Sequence, residues 1–156
     1  YVVDRADTCL DPSRPFSVYA GEDRLIVTGE KVPLLVWANR TNRALEYEWT
    51  VVSRPRGSNA TVRHPRGSTT LSTPYNYHYK KGRMVEFRPD QPGEYVIKLS
   101  ARLVFDDDLY PGKQLATSEL RLTADGEPAA GCATAGAGAA VGLWALLGLL
   151  WLRRRR

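Results

Sequence analysis

Glu94-Tyr95-Val96-Ile97-Lys98-Leu99-Ser100-Ala101-Arg102-Leu103-Val104 decides the fold class of this 156-residue chain. Tyr95, Ile97, Leu99, Ala101 and Leu103 alternate with Val96, Lys98, Ser100 and Arg102. A period of two places the first set on one face of a strand and the second on the other, so one face belongs to a core and the other to water. A strand of that length with one dry face needs neighbouring strands and a second layer to cover it.

Outward from this stretch, short runs rich in Val, Ile, Leu, Tyr and Trp recur with turn residues between them, and no window shows helical periodicity. The runs fall at residues 16–20, 24–28, 32–38, 45–53, 60–64, 83–88, 94–104 and 115–123. Such a series predicts an all-β, immunoglobulin-like sandwich of two sheets, in which about seven main strands are usual. Immediately before the long run, Asp90-Gln91-Pro92-Gly93-Glu94-Tyr95 has the form of a tyrosine corner, with Gly93 permitting the turn and the tyrosine hydroxyl bonding back to upstream backbone. Ile97 follows two residues later, where an antibody domain carries its second core cysteine. Leu35, fourteen residues before Trp49, takes the place of the first. Leu35, Trp49, Tyr95 and Ile97 are therefore the expected structural core, with an apolar pair instead of a disulfide.

The charge balance excludes one broad class. Of 22 basic residues four are the terminal Arg153, Arg154, Arg155 and Arg156, which leaves 18 against 17 acidic residues in the rest of the chain. A body so nearly neutral does not build the positive field that captures phosphate backbones, and no nucleic acid is expected as a partner. Two cysteines, Cys9 and Cys132, lie at either end of the predicted domain and form no CxxC pair. His64 and His78 stand apart from them and from the acidic runs, so no metal-ligand set is expected. Without a Ser/His/acid or Cys/His arrangement or a glycine-rich phosphate loop, the chain reads as a non-enzyme that needs no cofactor.

Several surface stretches bear on recognition. Tyr75, Tyr77, His78 and Tyr79 lie in Ser72-Thr-Pro-Tyr75-Asn-Tyr77-His78-Tyr79-Lys80-Lys81, a loop whose tyrosines are suited to contact sugars or proteins and equally to pack along a strand edge. Arg54, Arg56, Arg63 and Arg66 are placed to meet an acidic polysaccharide or lipid head group, or simply to protect a sheet edge. Asp106-Asp107-Asp108 offers hard oxygen ligands, but three adjacent carboxylates point in different directions, and a solvated loop is expected. Asn39-Arg-Thr41 and Asn59-Ala-Thr61 match the glycosylation acceptor pattern, from which no function is expected.

The body resembles the PKD-like domains, immunoglobulin-like sandwiches of bacterial surface proteins and of secreted hydrolases. The resemblance runs over residues 16–123 and is carried by Ala20-Gly21-Glu22-Asp23, by Tyr47-Glu-Trp49-Thr-Val-Val-Ser-Arg-Pro55-Arg-Gly57-Ser58-Asn-Ala60, and by Phe87-Arg-Pro89-Asp90-Gln-Pro-Gly93-Glu-Tyr95-Val-Ile-Lys-Leu99. An insert at residues 65–82 departs from the pattern, as does the lack of a Gly/Asn-rich segment between the second and third strands. Both departures fall in loops, where partner specificity resides.

Residues 133–152 form a different kind of sequence. Thr134 is their only polar side chain besides the two tryptophans, and twenty residues in a helix span about 30 Å, the thickness of a bilayer core. Arg153, Arg154, Arg155 and Arg156 follow at once and predict a cytoplasmic end, with everything before Cys132 outside. Residues 133–140 are only Ala, Gly and Thr, whereas residues 141–152 carry six Leu with Trp144 and Trp151, so the first half inserts weakly. Gly131-Cys132, the apolar stretch and the arginine end resemble the C-terminal sorting signal of myxobacterial surface proteins, the MYXO-CTERM type. That resemblance implies a membrane-embedded sorting peptidase as a partner, cleavage near Gly131 and Cys132, modification of Cys132 by membrane lipid, and display at the cell surface.

The expected organisation is an N-terminal extension at 1–15, a PKD-like sandwich at 16–123, a linker with the Gly-Cys motif at 124–132, a transmembrane segment at 133–152 and a cytoplasmic arginine cluster at 153–156. Tyr1 opens the chain and Met84 is its one methionine, so a processed or trimmed start is expected. The expected function is an exported binding, adhesion or spacer module, first anchored in the inner membrane and then sorted to the surface, with a polysaccharide or surface protein as its partner. Two alternatives stay open: an accessory domain at the C-terminus of a larger secreted hydrolase, and a single-pass membrane protein that is never processed.

Overall fold

The computed structural model describes residues 10–72, 77–79 and 84–129, without the side chains of residues 70–72 and 77–79. Among them eleven strands form: β1 (Val18–Tyr19), β2 (Arg24–Val27), β3 (Val32–Leu34), β4 (Trp37–Ala38), β5 (Leu45–Ser53), β6 (Val62–Arg63), β7 (Arg66–Ser72), β8 (Tyr77–Tyr79), β9 (Val85–Phe87), β10 (Gly93–Leu103) and β11 (Leu115–Asp125). One sheet has the order β2-β11-β10-β5-β7-β8, a second the order β3-β9-β6, and β1 pairs with β4. The described chain is thus all-β and built as a sandwich.

β10 is the central strand. It pairs antiparallel with β11 from Gly93↔Ala124 to Arg102↔Leu115 and with β5 from Val96↔Ser53 to Leu103↔Leu45. Tyr95, Ile97, Leu99, Ala101 and Leu103 are all buried, and the alternate residues face outward. Their cover comes from Val32, Leu34, Val85 and Phe87 of the opposite sheet, each buried as well. Phe87 and Tyr95 meet edge to face across the gap, ring centroids 5.1 Å apart at 67°, an arrangement aromatic pairs favour.

Trp49, Tyr95 and Ile97 lie in this core, at 2%, 0% and 0% exposure. Leu35 does not share their place. It is half-buried just past the end of β3, while Leu34 and Val36 are buried on either side of it. Val32, Leu34, Val36 and Ala38 all point inward, so the inward phase here is the even-numbered one and Leu35 is out of step with it. The sequence is ambiguous at this point because both phases carry apolar side chains.

Three further expectations change. The insert at 65–82 is not a plain loop, since β7 pairs with β5 from Leu45↔Thr69 to Glu48↔Arg66, and β8 pairs with β7 at Thr69↔Tyr79 and Ser72↔Tyr77. Arg66-Gly-Ser-Thr-Thr-Leu-Ser has no apolar alternation to announce a strand. Its conformation comes from the open edge of β5 beside it. β11 continues to Asp125, beyond the expected limit at 123, because its end pairs in parallel with β2. Residues 10–15, expected as an extension outside the sandwich, are bonded onto it.

Candidate functional site

The two ends of the sandwich differ. β10 ends and β11 begins at one of them, called here the loop end, joined by residues 104–114. The loop between β4 and β5 and the entering segment at residues 10–17 lie beside it. The chain departs from the opposite, exit end, after Asp125.

Two buried polar side chains on one loop organise the loop end. Asn39, 3% exposed, donates from its amide nitrogen to the carbonyls of Asp11 at 3.0 Å, Arg14 at 3.3 Å and Pro15 at 2.9 Å, and its Oδ1 accepts from the Ser17 N–H at 2.9 Å. Next to it, Arg40 reaches inward to Asp107. Nε stands 3.1 and 3.0 Å from the two carboxylate oxygens and Nη2 2.6 Å from Oδ2. The side chains of this pair are 8% and 3% exposed. The remaining guanidinium hydrogens go to the carbonyls of Pro12 at 3.0 Å and Arg14 at 2.8 Å. Hydrogen bonding from Arg40 holds the Asp107 carboxyl below the ordinary carboxylate range against the opposing effect of burial.

Asp107 is therefore not solvated, whereas Asp106 and Asp108 on either side of it are exposed, as expected of this acidic run. Its neighbours are engaged too, Asp108 with Arg43 and Asp106 with the amide of Gln114. No group of three or more His, Cys, Asp or Glu among the described residues converges to hold a metal ion. The cluster spends three charges on fixing loop shape, and Tyr110 adds a hydrogen bond from its hydroxyl to the Ser13 carbonyl at 2.6 Å. Beside the exposed Asp106 and Asp108, this loop presents two apolar side chains outward: Phe105 is 68% exposed and Leu109 64%. Exposed aromatic and aliphatic side chains on one loop that is fastened to the sandwich beneath it are suited to enter a complementary pocket. Sequence reading missed this site, since the partner of Asp107 is 67 residues away in the chain.

At the exit end the tyrosine corner has the expected geometry. Tyr95 Oη lies 2.8 Å from the Gln91 carbonyl and 3.1 Å from Asp90 Oδ1, and accepts from the Gln91 N–H at 3.0 Å. Gly93 at φ 126° makes the turn. Asp90 also takes hydrogen bonds from the Ser58 hydroxyl and from the Asn59 N–H. Burial pushes its carboxyl up, and the bonds from Ser58, Asn59 and Tyr95 more than reverse this, leaving it below the ordinary range. The Asp90 carbonyl accepts from the Ala129 N–H at 3.0 Å, so the departing chain is docked on the same corner.

The other candidates separate. Tyr77, His78 and Tyr79 form β8 at the edge of the six-stranded sheet, and Tyr75 lies outside the described residues. Three of the four arginines are engaged within the fold: Arg66 pairs with Glu48 at 2.5 Å, Arg63 with Glu86 at 3.7 Å, and Arg54 donates to the Ala60 carbonyl at 3.3 Å, while Arg56 is exposed. An open groove of about 700 Å³ runs over the outer face of the six-stranded sheet, past Glu46, Glu48, Arg66 and Arg102. Its charges are matched within the fold, Arg66 with Glu48 and Arg102 with Glu46. Gly131, Cys132, Arg153, Arg154, Arg155 and Arg156 lie outside the described residues, as does all of 133–152.

No protein-family model matches the chain, and no curated protein matches it. Among solved structures it is similar to WR4, a C. elegans MSP family member, with a TM-score of 0.44 and 14% identity over 67% of this chain and 92% of that one. So distant a likeness says nothing of function, and the architecture rests on the strand pairing described above.

Proposed function

We propose that this chain is an exported, non-enzymatic binding module of PKD-like type, held at the cell surface from its C-terminal side. Its loop end then meets a protein or polysaccharide of the surroundings. The observation that carries the reading is the separation of the two ends. Eleven residues of β11 lie between the loop end and the exit end, which at a strand's rise is about 35 Å. A chain tethered through residues 131–156 therefore presents Phe105 and Leu109 on the side away from its tether. The apolar stretch at 133–152, flanked by Gly131-Cys132 and four arginines, supports a tether made by sorting. In this reading a membrane sorting peptidase cuts the peptide on the C-terminal side of the Gly131-Cys132 pair, so that the mature chain keeps Cys132, and lipid joined to its thiol replaces the peptide anchor.

Intact-mass measurement of the protein from its native cells, with protease shaving of those cells, tests the proposal. The expected mature chain ends close to Cys132, lacks Arg153, Arg154, Arg155 and Arg156, and is removed by shaving. A mature chain that keeps all four arginines, bears no modification at Cys132 and resists shaving would overturn the sorting and surface reading.

A further inference from the structure

β5 is covered unevenly. β10 pairs with it from Leu45 to Ser53, whereas β7 covers its other side only from Leu45 to Glu48. The Trp49 N–H makes the last bond on that side, to the Pro65 carbonyl at 2.8 Å. Just before it His64, at φ 54°, turns the chain out of β6 in the opposite sheet and into β7. Along a strand the N–H and carbonyl of successive residues point alternately to its two sides. Those of Val51 therefore face the same side as the Trp49 N–H, and among the described residues no strand pairs with them there. A gap of about 540 Å³ opens beside them, lined by Trp49, Val51, Ala60, Val62 and Pro65 and by the exposed Arg54. That volume lies within the range of about 300–1,000 Å³ usual for small-ligand sites.

The polar groups of this gap are unequal. Trp49 is 2% exposed, and its Nε1 is the one buried side-chain nitrogen or oxygen without a hydrogen-bond partner among the described residues. An indole nitrogen donates and cannot accept, and leaving such a donor buried and unmet costs about 1–3 kcal/mol. Arg54 gives one N–H to the Ala60 carbonyl and has no carboxylate partner among the described residues. Arg66, which also lines the gap, is taken by Glu48. The Val51 N–H, the Trp49 indole and the Arg54 guanidinium are thus three donors carrying one positive charge, next to the apolar side chains of Val62 and Pro65. They call for an anion with an apolar body, and the Val51 carbonyl calls for one N–H. The last residue of a peptide supplies all of these in one unit: a carboxylate, an amide N–H and a side chain.

We propose that the gap between β5 and β6 binds the C-terminal residue of a peptide that ends in an apolar amino acid. Its carboxylate accepts from the Val51 N–H, from Trp49 Nε1 and from Arg54; its amide N–H donates to the Val51 carbonyl, and its side chain lies on Val62 and Pro65. Pairing with an open strand and capture of a terminal carboxylate are both recurring modes of peptide recognition. The site goes beyond the surface reading and uses neither Phe105, Leu109 nor the tether.

Nuclear magnetic resonance of the whole chain in zwitterionic lipid nanodiscs, with isotope-labelled tryptophan, tests the site with N-acetyl-L-leucinate as the probe. The Trp49 indole signal is identified by its loss in Trp49→Phe. It is expected to move saturably with the probe, and at least about tenfold more weakly with N-acetyl-L-leucinamide, which has the same shape without the charge. Arg54→Gln, a change at the surface, is expected to weaken the probe at least about three-fold. A Trp49 signal unmoved by the probe, or moved equally by the amide, would overturn the site, and so would undiminished affinity in Arg54→Gln. Changing Phe105 and Leu109 to serine is expected to leave the titration as it was; a titration lost with them would place the response at the loop end and overturn the site. Failure of the probe leaves the outcome of mass measurement and shaving untouched, and an unprocessed chain that binds the probe would overturn the surface reading alone.

Discussion

Arg40 and Asp107 show how much one buried pair can organise. Two charges taken out of water are costly, and the cost is met here by several hydrogen bonds that tie the entering segment and two loops together. Arg40→Ala leaves Asp107 buried without its partner and frees the carbonyls of Pro12 and Arg14. It is expected to cost about 3–5 kcal/mol, read from urea unfolding of the otherwise unchanged chain. The pH dependence has a definite sign. Asp107 and Asp90 both hold their protons less tightly folded than unfolded, so the stability they contribute is present above the ordinary aspartate value near about 4 and is lost as the pH falls through their lowered folded values. The melting temperature should fall on acidification below about pH 4, and less steeply in Asp107→Asn, whose side chain cannot titrate.

Elements in this fold are decided partly by what lies across from them. β7 contains Gly67 opposite Tyr47, and the tyrosine ring crosses the glycine so closely that a Cβ there would stand 2.7 Å from Cζ. The close approach keeps Tyr47 at 6% exposure, and burial raises its phenol pKa. Gly67→Ala should displace the ring and weaken the β5–β7 pairing, at an expected cost of about 1–3 kcal/mol. Hydrogen exchange would locate the loss: the amides of β7 should exchange faster while those of β10 and β11 keep their protection. Equal loss throughout would mean that β7 belongs to the core's cooperative unit.

For the whole molecule, the two ends divide the work of holding and presenting. Phe105 and Leu109 are exposed and rest on a loop held by the buried Arg40–Asp107 pair. Changing both to serine should alter stability by no more than about 0.5 kcal/mol, since neither contributes to the core. Retention of the chain by extracts of the cell surface should nevertheless fall, measured by pull-down against the unchanged protein. Undiminished retention would move the contact surface away from the loop end.

The alternation in residues 94–104 and the short apolar runs around it sufficed for an all-β sandwich, because a strand's two faces are written into neighbouring residues. Tyr95 and Trp49 were legible for the same local reason, through the Asp-Gln-Pro-Gly turn and the apolar run that hold them. Apolar balance hid the inward phase at Leu34 and Leu35, and polarity hid β7, whose strand state depends on an edge roughly twenty residues earlier in the chain. The pairing of Asp107 with Arg40, the docking of residues 10–15 and the parallel course of β2 beside β11 belong to the tertiary structure alone. Each joins residues far apart in sequence, and only the packed sheets bring their charges and backbone groups within hydrogen-bond reach.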